Sequence, residues 1–176
     1  MAFIVFTPVQ DAMISEYYPN VNYTDFSELF IGRFSGPGDS YRSLIQFNLA
    51  SLGCNFIPLG SSINSAVLQV FAWKNQILTT ATISVYGLLQ SWDEKNVTWN
   101  TQPGNYHVSC NTALAAGFTG FFQVDITDLG KGWYNGNIVN NGLLIVGDES
   151  TNDLVGVYSH KWPYTQVWPR LIINYS

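Results

Sequence analysis

Few side chains in this chain could do covalent chemistry. His107 and His160 are the only histidines, and neither stands in a nucleophile motif. No Gly-x-Ser-x-Gly elbow occurs. No clustered set of Cys, His and carboxylate residues offers the three or four ligands that zinc takes. Asp93-Glu94 has the composition of a glycosidase carboxylate site, but adjacent residues of a strand point to opposite faces. Asp11, Asp125, Asp128, Asp148, Glu149 and Asp153 are the acids that could hold a hard cation, and a structural calcium ion is the cofactor they allow. Capping of turns by the same carboxylates is the simpler role for most of them. The chain reads as non-enzymatic.

The remaining candidates are aromatic and apolar. Aromatic residues make up 15% of the 176 residues and charged residues only 11%, against an ordinary charged share of about 25%. Asn, Ser, Thr, Gln, Tyr and Trp must therefore cover much of the surface. Tyr17, Tyr18 and Tyr23 in a polar-aromatic loop, with Trp73, Trp162 and Tyr164, are rings able to stack on a sugar. Trp92, Trp99 and Trp133 read as core. Phe3, Ile4, Val5 and Phe6 form a segment apolar on both faces, which can be buried or lent to a neighbouring subunit as an added strand. Phe71 and Trp73 would extend such an assembly surface.

The elements that must position these residues are strands. Short β-type runs recur between Gly, Pro, Asn and Asp clusters, the pattern of a sandwich or barrel. They fall at 3–9 (with Pro8 marking an edge or a bend), 12–15, 28–33, 42–49, 63–73, 82–89, 121–125, 142–147, 154–159 and 171–175. In the 42–49 run, Ser43, Ile45, Phe47 and Leu49 share one face. In the 63–73 run, Ala66, Leu68, Val70 and Ala72 form the core face, leaving Val67, Gln69, Phe71 and Trp73 outward. The 82–89 run buries Ile83, Val85 and Leu89. Residues 126–134 read as one short helical segment capped by Asp125 or Thr127, with Leu129 and Trp133 at i, i+4 spacing. No repeat or linker divides residues 1–176, which read as a single domain.

Several of these fragments resemble, in order, the DNRLRE domain family of bacterial and archaeal surface proteins. They are Asp11-Ala12-Met13-Ile14, Tyr18-Pro19-Asn20-Val21-Asn22-Tyr23, Arg42 to Leu49, Ile63 to Leu68, Ser91-Trp92-Asp93-Glu94 through Thr98-Trp99-Asn100, Val124 to Leu129 with Trp133, Asn141 to Ile145, and Trp168 to Ile173. The resemblance covers essentially the whole chain. It implies an all-β jelly-roll sandwich of two antiparallel sheets, some members being described as carbohydrate-binding modules. It implies little about ligand, because fold does not fix function.

The chain carries 7 Lys and Arg against 12 Asp and Glu, a net charge of −5 with no basic stripe, so nucleic acid is a poor partner. No apolar run is long enough to span a membrane as a helix. Met1-Ala2-Phe3-Ile4-Val5-Phe6-Thr7-Pro8 lacks the basic start and small-residue cleavage site of a signal peptide, and reads as a strand. Cys54 and Cys110 are the only cysteines; they can bridge within the chain, bridge between chains or stay free. The reading favoured by these observations is a self-associating structural protein of a cell or spore surface, its partner being itself as a fibre, coat or appendage subunit. The alternative is a stand-alone carbohydrate-binding, lectin-like module whose partner is a polysaccharide.

Overall fold

The first apolar run does not continue as one strand. In a computed structural model, which describes residues 2–49 and 57–176, β1 (Ala2–Phe6) ends before Thr7 and β2 begins at Pro8 (Pro8–Ser15). The break sends the two strands to different neighbours. β1 pairs with the last strand, β11 (Arg170–Tyr175), while β2 pairs with β4 (Ser40–Phe47). Proline cannot donate to a sheet ladder, which suits it to this crossing point.

Between them lie β3 (Glu28–Arg33), β5 (Ile63–Asn75), β6 (Thr80–Gly87), β7 (Cys110–Ala115), β8 (Gly120–Asp125), helix α1 (Thr127–Tyr134), β9 (Leu143–Val146) and β10 (Val155–Tyr158). Every pairing among the described residues is antiparallel. The long strand β5 organises one half. Val67 pairs with both Ile172 and Asp125, and Ala72 with both Val157 and Gly120. So β8 takes one edge of β5, and β11 and β10 share the other end to end.

The two halves are not separate sheets. The start of β3 pairs with β10, and its end, Gly32 and Arg33, pairs with Tyr41 and Ser40 of β4. One 11-stranded sheet therefore curls over on itself, in place of the expected two-sheet sandwich. The physical reason sits at the curl. Gly32 holds φ +92°, and a Cβ there would lie 2.2 Å from the Asp153 carbonyl oxygen. A Cβ on Gly147 would lie 2.8 Å from the Gly32 Cα. Two bare backbones meet where side chains would otherwise hold the halves apart.

The alternation predicted for β5 is present: Ala66, Leu68, Val70 and Ala72 are fully buried, and the odd positions are half-buried. Ser43, Ile45, Phe47 and Leu49 are buried as a set, and Leu129 and Trp133 of α1 pack on the same core. The Asp125 carboxylate accepts the Thr127 N–H at 2.9 Å, which fixes the start of the helix. Two expectations need correction. Leu89 is exposed and Leu88 is buried in its place, because β6 stops at Gly87 and Leu88 makes an isolated bridge to Asn105. Strand β7 lies outside the strands expected from the sequence; it is a short edge strand whose exposed side carries Asn111, Ala113 and Ala115 and whose one buried residue is Leu114.

A second, smaller core forms on the opposite face of β4 and β9. Ala12, Ile14, Leu44 and Leu144 are covered there by the 88–105 loop through Leu88 and Val97, with Trp92 and Trp99 packed against them. Cys110 is unbridged among the described residues; burial, then Asp125 and Asp128, push its thiol up, so it stays protonated. Cys54 lies outside the described residues.

Candidate functional site

The aromatic residues singled out in the sequence come from three separate stretches, and folding joins most of them. In the loop after β2, Tyr17 and Tyr18 meet edge to face at 4.8 Å, and Tyr23 meets Phe26 in the same way at 5.3 Å. The Ser15 hydroxyl at the end of β2 fixes this loop. It accepts the Tyr18 N–H at 3.3 Å and lies close to the Tyr23 and Tyr41 side chains. Burial pushes both of those phenols up, so they remain protonated donors.

Tyr18, Tyr23, Phe30, Phe34 and Tyr41 line a pocket of about 330 Å³ with Lys74 at its rim. A second pocket of about 370 Å³ continues past Tyr17, Ser35 and Asp39, sharing Tyr18, Phe34 and Tyr41 with the first. Together they make a groove. Tyr17 and Tyr18 are 62% and 53% exposed, so their rings are available to a ligand.

From this groove a run of rings crosses the outward face of β3, β5 and β10. Phe30 touches Tyr41 at 6.1 Å and Trp73 at 6.0 Å. Trp73 stacks on Tyr158 at 6.2 Å and 25°, and Tyr158 lies 4.4 Å from Trp162. Phe71 also meets Tyr158, at 5.7 Å, and Phe121 at 5.0 Å. The Trp73 indole lies flat on Gly156, where a Cβ would fall 2.9 Å from its Cε2. Its Nε1 is buried with no hydrogen-bond partner among the described residues. Tyr164 is exposed and stands apart from the run.

The residues considered for assembly divide by face. Ile4 and Phe6 of β1 pack on the protein's own core, while Phe3 and Val5 point outward, 69% and 44% exposed. Phe71 and Trp73 belong to the aromatic run.

The candidate metal ligands do not converge as a set. Asp125 caps α1, and Asp148 caps the following turn through Ser150. Glu149 pairs with Arg42 at 2.7 Å, and Asp153 holds the Leu78 N–H and the Thr151 hydroxyl. Asp128 sits in the first turn of α1, where a carboxylate offsets the helix dipole. Among the described residues, Asp11 alone of these acids has metal-type neighbours: it, Glu94 and His160 place ligand atoms within 4.8 Å of one another and could coordinate a metal ion.

Sequence reasoning missed this cluster because its members are 83 and 66 residues apart along the chain, counting from Asp11 to Glu94 and Glu94 to His160. A cation already occupies it. Lys161 Nζ donates to the Asp11 carbonyl oxygen at 2.9 Å, to Asp11 Oδ1 at 3.2 Å and to Glu94 Oε2 at 2.8 Å. Asp11 is fully buried and also accepts from the Ser159 hydroxyl at 2.6 Å and the His160 N–H at 2.7 Å. His160 Nδ1 lies 3.0 Å from Asp11 Oδ2 but off the hydrogen-bonding direction. Burial raises the Asp11 carboxyl; His160 and the Ser159 hydroxyl outweigh it and hold the group below the usual carboxylate range.

A cavity of about 620 Å³ lies elsewhere, between Gln46–Leu49 and the end of α1.

Residues 2–175 match the model of carbohydrate-binding module family 96. No curated protein matches the chain. The match confirms the coarser expectation, a carbohydrate-binding-module-like domain over nearly the whole chain. It agrees with a non-catalytic module, and it favours carbohydrate binding over self-association.

Proposed function

Because the chain belongs to carbohydrate-binding module family 96, we propose that it binds a polysaccharide in the groove formed by Tyr17, Tyr18, Phe34 and Tyr41, with the ring run towards Trp162 extending the contact. One observation carries this reading: rings from the loop after β2, from β5 and from the 159–164 loop form a continuous surface. Sugar rings present C–H faces that pack on aromatic rings, while hydroxyls seek donors and acceptors at the edge. Lys74, Asp39 and Ser35 supply those edge groups here. The low charge of the chain fits a neutral ligand better than a charged one.

The test is affinity electrophoresis in gels that contain soluble polysaccharides. Retardation by at least one of them is expected, with Tyr18→Ala weakening it about tenfold or more, equivalent to about 1.4 kcal/mol. Unchanged mobility of the wild type in every gel would overturn the assignment.

A second reading rests on β1. This strand pairs with β11 alone among the described strands, which leaves its outer edge open beside the exposed Phe3 and Val5. An open edge of this kind can accept a strand from another copy, and a cell or spore surface is where such an assembly would serve.

A further inference from the structure

Successive residues of a strand point to opposite faces, and β4 uses this at Tyr41 and Arg42. Tyr41 lines the aromatic groove; Arg42 faces a different pocket, of about 390 Å³, bounded by Tyr86, Asn105, His107, Val146 and Glu149. We propose that this pocket is a second saccharide-binding site, selective for an uncharged sugar.

The pocket is built around a fixed arginine. Arg42 Nε and one terminal nitrogen reach both Glu149 oxygens, at 2.7 and 2.9 Å, and the other terminal nitrogen donates to Gln102 Oε1 at 3.1 Å. The guanidinium lies over the Trp99 ring at 4.5 Å. Planar pairing and stacking pre-organise the side chain. The volume lies within the usual range of ligand pockets, about 300–1,000 Å³.

The surrounding polar groups are free. Tyr86 Oη and the His107 ring make no hydrogen bond to another described residue, and the Asn105 amide spends one N–H on the Tyr106 carbonyl, leaving its oxygen open. Remaining Arg42 N–H groups can donate to a sugar hydroxyl while Glu149 accepts from its neighbour. Donor and acceptor side by side match a vicinal diol. Val146 lines the pocket beside the Tyr86 ring, which suits the C–H face of a pyranose. Charge sets the selectivity. Arg42 and Glu149 cancel, so an anionic ligand would have to displace Glu149 to gain an arginine partner.

The two sites would grip a branched or folded chain from both faces of β4. The two sites share no lining residue, so a single glycoside can occupy either one without the other.

The test is a titration of isotopically labelled protein with the methyl glycosides of glucose, galactose, mannose, xylose, N-acetylglucosamine and glucuronic acid, followed by NMR. Pocket signals are the Arg42 Nε–H, the Asn105 side-chain amide and the Trp99 indole N–H. Groove signals are the backbone amides of Tyr17, Tyr18 and Phe34. At least one neutral glycoside is expected to shift the pocket signals saturably in wild type and in Tyr18→Ala. Tyr86→Ala should weaken that effect about tenfold or more. His107→Ala, at an exposed position that does not threaten folding, should weaken it by a smaller factor and leave the groove signals unchanged.

The proposal is overturned if no neutral glycoside moves the pocket signals, if their movement vanishes in Tyr18→Ala, if it survives intact in both pocket variants, or if only the glucuronide binds. Pocket signals that shift while groove signals stay still would sink the groove assignment and leave this one standing.

Discussion

Lys161 Nζ stands 2.8 Å from Glu94 Oε2, and the two side chains seal the edge of β2 between them. Glu94 accepts the Asp11 backbone N–H at 3.3 Å, and Lys161 donates to the Asp11 carbonyl at 2.9 Å. An exposed strand edge invites pairing with another chain. Here two charged side chains from distant loops close it, and tie the 88–105 loop and the turn after β10 to the same strand.

Removing the lysine leaves a buried carboxylate short of its cation. Lys161→Met should therefore destabilise the protein by about 3 kcal/mol, the scale of breaking a buried pair from one side, measured by urea unfolding. The same variant frees the Asp11–Glu94–His160 cluster. Calcium should raise the melting temperature of Lys161→Met and leave that of the wild type unchanged; equal calcium responses would show that the ion binds elsewhere.

Asp11 also sets an acid limit. Its folded carboxyl lies below the ordinary value of about 3.9, so the unfolded chain takes up a proton first as pH falls. The stability it contributes is complete above about pH 5 and is lost as pH falls through the folded value. Urea midpoints measured across that range should fall steeply for wild type, and more gently for Asp11→Asn, which starts lower at neutral pH.

The platform depends on a missing side chain. Gly156→Ala would push the Trp73 indole off the strand, since the new Cβ would meet Cε2 at 2.9 Å. A stability loss of about 1–3 kcal/mol is expected from overpacking, with weaker retardation in polysaccharide gels. Retention of full affinity would show that Trp73 and its neighbours support the fold alone.

For the open edge of β1, sedimentation velocity gives a direct answer. If β1 recruits a second copy, wild type should form larger species as concentration rises, and the double variant Phe3→Lys, Val5→Lys should not. A wild type that stays monomeric throughout removes this second reading.

Local pattern carried much of the architecture. The alternation of β4 and β5, the Pro8 break and the Leu129–Trp133 spacing in α1 are short-range properties, set by which side of a strand or helix each residue must take. So are the composition and the absence of a catalytic motif. The sequence by itself determined that this is an all-β domain rich in rings and poor in charge. Only the tertiary structure decided where those rings gather, that one sheet curls at Gly32 and Gly147, and that Asp11 meets Glu94, His160 and Lys161. These are contacts between residues far apart in the chain, fixed by which strands pair and in which register, and antiparallel pairing leaves no periodic trace of its partner in either strand.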